Sequence, residues 1–165
     1  MTIAGPGGVP RAGSHDTRHP KAEACSAEHA RVAQGHQDHL ATVYVCITCR
    51  RAGEPDDVEP RPGALLADAT VRAAHGSGVA VRRVRCLANC TRGPSAAVRA
   101  NGGGKESWAY IFGGLDLAGA PALIEGARLL AGAADGIMPW RGRPEPLKRG
   151  LIARVPPLDF IEEMP

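Results

Sequence analysis

Two short β-rich runs end in close pairs of cysteines, and this repeat constrains the chain more than any other feature. The first is Val43-Tyr44-Val45-Cys46-Ile47-Thr48-Cys49, spaced C-x2-C. The second is Val84-Arg85-Cys86-Leu87-Ala88-Asn89-Cys90, spaced C-x3-C. Four thiolates in two clamps are what a four-sulfur metal site requires, provided the fold brings the clamps together. The intervening sequence supplies a way to do so. Ala41 to Val45 is β-branched and aromatic and reads as a buried strand. Pro62 suits the first turn of a helix over Gly63 to His75, with Leu65, Leu66, Ala69 and Ala73 at helical spacing and Gly76 as a stop. His75 reads as a last-turn residue favoured by the helix dipole rather than a ligand. Val79 to Arg85 is a second strand. Strand, helix and strand over this span make a βαβ unit with parallel strands. Both cysteine pairs then leave the carboxyl ends of their strands, the edge where open α/β sheets bind ligands. Neighbouring strand axes lie about 5 Å apart, so two such loops can share one centre.

Downstream, Thr91-Arg92-Gly93-Pro94 is a turn, and Ser95 to Ala100 a short strand. Asn101 to Glu106 is a hairpin loop and Ser107 to Phe112 the returning strand. Trp108, Tyr110 and Phe112 alternate onto one face, which predicts an aromatic stripe against a helix. Gly119 to Ala133 is that helix, with Leu123, Ile124, Ala127, Leu130 and Ala131 on one stripe. The order β-α-β-β-β-α defines an α/β class with the minimal thioredoxin-like arrangement, here assigned to residues 41–136.

Residues 1–40 form a polar arm with no apolar periodicity, expected to be disordered. It holds a lone Cys25, expected to be a free thiol, and five of the six histidines: His15, His19, His29, His36 and His39. Residues 137–165 carry six prolines, which preclude long helices and predict an irregular extension. Arg141, Arg143, Lys148, Arg149 and Arg154 lie there against Glu145. They predict a docking surface for an acidic partner, or an extension pinned by Trp140, Leu151, Ile152 and Leu158. The loop from Ile47 to Arg61 bears Glu54, Asp56, Asp57 and Glu59 and reads as solvated surface.

Bulk properties exclude several classes. A net charge of +3 is too small to imply nucleic acid. No N-terminal apolar run of about 7–15 residues marks a signal peptide, and no stretch reaches membrane-spanning length, so a cytoplasmic protein is expected. In that compartment the cysteines are metal-binding or redox-active rather than a disulfide framework. No Ser/His/Asp set or phosphate loop is present. Cys46, Cys49, Cys86 and Cys90 are therefore the candidate ligands. Arg82, Arg83, Arg85, Arg92 and Arg99 surround the second clamp with no acid between Val79 and Asn101, as suits an anionic centre. Zinc permits both spacings, as does a 2Fe-2S cluster; the plant-type ferredoxin run C-x4-C-x2-C is absent. A dithiol oxidoreductase at Cys46 and Cys49 leaves the second pair unexplained.

The run Cys86-Leu87-Ala88-Asn89-Cys90-Thr91-Arg92-Gly93-Pro94, followed by two strands, resembles the second half of thioredoxin-like 2Fe-2S ferredoxins. Over Val43 to Phe160 the chain also resembles a bacterial family of small predicted metal-binding proteins of unknown function. That likeness rests on Val45-Cys46-Ile47-Thr48-Cys49-Arg50, the Cys86–Arg92 run and Trp108-Ala109-Tyr110-Ile111-Phe112-Gly113. Asp135-Gly136-Ile137-Met138-Pro139-Trp140-Arg141 and Arg149-Gly150-Leu151-Ile152-Ala153-Arg154-Val155-Pro156-Pro157 also carry it. The resemblance implies a 2Fe-2S cluster (zinc being the alternative), a redox partner protein, and an association with cobalamin or metal metabolism. It also places Pro94 where thioredoxins carry a cis-proline. The expected function is a one-electron carrier rather than an enzyme; a zinc or cobalt protein, structural or delivering metal, is the other reading.

Overall fold

The structure is a computed structural model that describes residues 39–55, 57–101, 107–157 and 160. The arm expected over 1–40, with Cys25 and four of its histidines, lies outside the described residues except for His39 and Leu40. Asp56, most of the 101–106 hairpin loop and Leu158 also lie outside them.

Strand β1 spans Ala41–Cys46 and is buried at every residue but Tyr44. Burial on both faces demands near-continuous apolar sequence, which is what made this strand readable. Helix α1, Pro62–Ala73, buries Gly63, Leu66, Ala67 and Thr70, a stripe at the 3.6-residue period. Thr70 satisfies its buried hydroxyl on the Leu66 carbonyl at 2.7 Å. Strand β2, Val79–Val84, returns beside β1 in parallel, pairing Ala41 with Val79 and Cys46 with Val84. The expected βαβ unit is therefore present and its two strands are neighbours.

Strands β3, Ala96–Ala100, and β4, Ala109–Phe112, form an antiparallel hairpin, with β3 antiparallel to β1. Helix α2, Gly119–Ala131, packs on α1 and across β1 and β3. One core joins Val43 and Val45 of β1 to Val98, Tyr110 and Phe112 of the hairpin and to Leu66, Leu123, Ala127 and Leu130 of the helices. The Tyr110 and Phe112 rings stack at 6.2 Å, as the alternation requires. Trp108 is half-buried and meets Phe160 edge-on at 5.3 Å. His75 is exposed in the turn beyond α1, where Gly76 adopts φ +70°. The sheet order β2-β1-β3-β4 gives the thioredoxin-like α/β arrangement expected from the sequence.

The C-terminal segment is more regular than expected. A short helix α3, Glu145–Arg149, leads into β5, Leu151–Val155, which pairs antiparallel with β4 and makes a fifth strand. Its prolines do limit helix length, but they flank a five-residue strand rather than abolish it. The pins also differ. Trp140 is 63 % exposed, whereas Met138 and Leu147 are fully buried. Leu147 seats against Gly126 of α2, where a β-carbon would lie 2.2 Å from its Cδ1.

Candidate metal centre

The register of β1 against β2 sets the geometry. Cys46 closes β1 opposite Val84, and β2 runs on from Val84 directly into Arg85 and Cys86. The Ile47 amide donates to the Val84 carbonyl at 2.9 Å, extending the ladder past the strand ends. The Cys46 thiol lies 3.5 Å from the Arg85 carbonyl oxygen, and the Thr48 hydroxyl donates to the same oxygen. Cys46 and Cys49 are both buried, at 1 % and 3 % exposure, whereas Cys86 and Cys90 are exposed. All four are free thiols.

Backbone amides converge on these sulfurs. The Ala88 amide donates to Cys86 Sγ at 3.2 Å, which the positive φ of Ala88, 55°, makes possible. Burial pushes the Cys46 thiol up. Hydrogen bonding with Cys49 and with the Thr48 hydroxyl, and from the Thr48 and Leu87 amides, outweighs it, and Cys46 sits below its ordinary value. Burial, followed by the hydrogen bond and charge of Cys46, pushes Cys49 up to about 11 against opposing bonds from the Ser95 hydroxyl and amide. Of the two, Cys46 is the thiol that gives up its proton first.

Two glycines shape the pocket around Cys49. A β-carbon on Gly63 would sit 2.2 Å from the Cys46 carbonyl, and one on Gly93 would sit 2.5 Å from the Arg50 carbonyl and 3.3 Å from Cys49 Sγ. The Gly63 amide donates to the Cys49 carbonyl at 3.0 Å, fixing the first clamp on the start of α1. Asn89 holds the second loop through its amide to Ser95 Oγ at 2.9 Å. The Gly93–Pro94 peptide is cis, in the position expected. Cys49 and Cys90 line one cleft of about 230 Å³ with Thr48, Arg50, Arg51 and Glu54. Among the described residues, no three Cys, His, Asp or Glu side chains converge tightly enough to hold one metal ion. The structure therefore brings Cys46 and Cys49 into contact and places Cys86 and Cys90 on the adjoining loop.

The donor set fits a thiolate-bound group. Soft sulfur ligands come in two adjacent clamps, and amides already point at Cys46, Cys49 and Cys86, the kind of bond that tunes thiolate centres. The sequence did not single out Thr48, Ser95 or Glu54. Glu54 was expected on a solvated surface; instead its Oε2 is buried in the cleft with no hydrogen-bond partner among the described residues. Only its position five residues after Cys49 hinted at this.

Fold and site together define a thioredoxin-like α/β protein with paired cysteines at the carboxyl ends of two parallel strands. The chain belongs to the family described as protein of unknown function (DUF1636), whose model matches residues 43–157. No curated protein matches it. Two solved structures of a thioredoxin-like 2Fe-2S ferredoxin from Aquifex aeolicus are similar in fold. One has a TM-score of 0.46 at 17 % identity, covering 74 % of this chain and 99 % of that one. The other, of the wild-type protein, has a TM-score of 0.42 at 16 % identity, covering 70 % and 98 %. No helix among the described residues is long and apolar enough to cross a membrane.

Proposed function

We propose that this chain carries single electrons on a 2Fe-2S cluster held by Cys46, Cys49, Cys86 and Cys90. The observation that carries this reading is the β1–β2 register, which sets the second pair two residues beyond the partner of Cys46. A bound cluster would supply reversible one-electron chemistry between two iron oxidation states. The chain's own groups do the rest. The Thr48, Leu87, Ala88 and Ser95 amides donate to sulfur and favour negative charge there. Burial of Cys46 and Cys49 excludes water on one side, and exposure of Cys86 and Cys90 leaves the other side open to a partner. A single tetrahedral ion needs four sulfurs within about 2.3 Å of one point. A two-iron cluster needs two pairs, which is closer to what the loops present.

The exposed Arg85 and Arg92 beside the second clamp, with Arg82 further back on β2, suit an acidic redox partner; Arg99, expected there too, pairs with Thr42 at the opposite end of the sheet. Arg83 is paired with Asp68, and so contributes less to that field. The chain would act as a carrier rather than an enzyme, in the cytoplasm, and a role in cobalamin or metal metabolism follows from the family resemblance alone.

A second reading, a zinc or cobalt site that is structural or delivers metal, is favoured by Glu54. A buried, unpartnered carboxylate oxygen beside Cys49 and Cys90 suits a divalent cation better than an anionic cluster. A dithiol oxidoreductase is disfavoured by the burial of both Cys46 and Cys49, which an incoming disulfide must reach. Anaerobic purification followed by metal analysis tests these readings: iron supports the carrier, and stoichiometric zinc or cobalt the alternative.

A further inference from the structure

A second site lies on the C-terminal segment, and none of the four cysteines lines it. A cavity of about 600 Å³ opens between the loop after α2 and the last two strands, lined by Tyr110, Met138, Trp140, Arg143, Leu151 and Arg154. That volume suits a small organic molecule. Most of its wall is apolar or aromatic.

Arg143 is the unusual member. It was expected as a surface charge, yet it is 6 % exposed. Its Nη2 donates to the Met138 carbonyl, and its guanidinium lies 5.4 Å from the Tyr110 ring and 5.2 Å from the Trp140 ring. Its Nε–H is buried and meets no acceptor among the described residues. Among the described residues no carboxylate pairs with Arg143 or with Arg154. The one acid in the cavity wall, Asp135, accepts the Ile137 amide at 2.9 Å. Nearby Lys148 is paired with Glu145 at 2.9 Å. A buried guanidinium without a counter-ion is costly, and proteins bury such a charge where an anion completes it. Arg154 stands at the cavity on the exposed edge strand, 4.9 Å over the Trp108 ring. Trp140 is left 63 % exposed, with the Arg143 guanidinium and, at 5.8 Å, the Lys148 Nζ over its ring.

We propose that this cavity binds a small organic anion. Its carboxylate or phosphate head would meet the part of the Arg143 guanidinium that lines the cavity, with Arg154 as the second cation. Its apolar or aromatic body would lie against Trp140, Tyr110 and Leu151. Guanidinium forks match both kinds of oxyanion, so the head group is the open variable.

The test titrates the full chain with 3-phenylpropionate, phenyl phosphate and neutral 3-phenylpropanol, by calorimetry and by tryptophan fluorescence. Both tryptophans lie near the cavity, so occupancy changes their emission. One or both anions are expected to bind saturably, roughly tenfold or more tighter than the alcohol, and the tighter of the two names the head group. Arg143→Met is expected to abolish that preference while the protein stays folded by circular dichroism, at a melting temperature lowered by loss of the Met138 carbonyl bond and the two ring contacts. Arg154→Gln, on an exposed strand, is expected to weaken anion binding several-fold with the fold intact. If Arg143→Met does not fold, Arg154→Gln and the anion-to-alcohol comparison still decide. Equal binding of alcohol and anions, no saturation by either anion, or anion binding unchanged in the folded variants would overturn the proposal.

Discussion

The Cys46 thiol lies 3.5 Å from the carbonyl oxygen of Arg85, the residue before Cys86. This contact joins the two cysteine loops at the level of the backbone. The second pair is therefore placed by β-sheet register rather than by flexible side chains, and the site inherits the rigidity of β1 and β2. Substitutions in the loops should then separate metal retention from folding.

Cys86 is exposed and makes no core contact, so Cys86→Ser tests ligation without disturbing packing. The expected outcome is loss of bound metal with the melting temperature of the metal-free protein unchanged. Metal analysis and calorimetry on the same sample check it. Cys25→Ser, outside both clamps, should leave metal content unaltered.

Gly93→Ala should damage the site through the backbone. The added methyl would crowd the Arg50 carbonyl and Cys49 Sγ, and the loop must shift to admit it. Overpacking of this kind costs about 1–3 kcal/mol, readable in chemical denaturation, and metal affinity should fall with it.

Stability of the reduced, metal-free protein should pass through a maximum near pH 9. The folded Cys46 value lies below the ordinary 9.0, so its contribution is full above 9.0 and is lost as pH falls through the lowered value. The folded Cys49 value is raised to about 11, so its contribution is full below 9.0 and is lost as pH rises from there through about 11. Melting temperatures across this range would show the maximum, and Cys46→Ser with Cys49→Ser should flatten it.

Leu147→Ala tests whether the C-terminal segment is part of the core. Leu147 is fully buried against Gly126, and truncating such a leucine costs about 2–5 kcal/mol. A loss near zero in urea unfolding would mean that α3 and β5 are a loosely held appendage.

The expectations that held were those with dense local signals. β1 is apolar on both faces because it is central, α1 repeats its buried residues at 63, 66, 67 and 70, and the cysteine pairs mark both strand ends. What escaped depends on long-range pairing. β5 is only five residues long and has no alternation of its own; it is a strand because β4 offers it an edge. Arg143 reads as one more basic residue in a basic run, and only the rings of Tyr110 and Trp140 reveal that it is buried. Glu54 belongs to an acidic loop whose solvated appearance ends where the cleft beside Cys49 begins.

The most direct measurement of the central claim is an absorption spectrum, with iron and zinc analysis and electron paramagnetic resonance after reduction, on protein purified without oxygen. The account predicts visible charge-transfer bands, about two irons per chain and a paramagnetic signal that appears on reduction. A colourless protein holding one zinc per chain, a protein holding cobalt and no iron, or no metal at all, would contradict it.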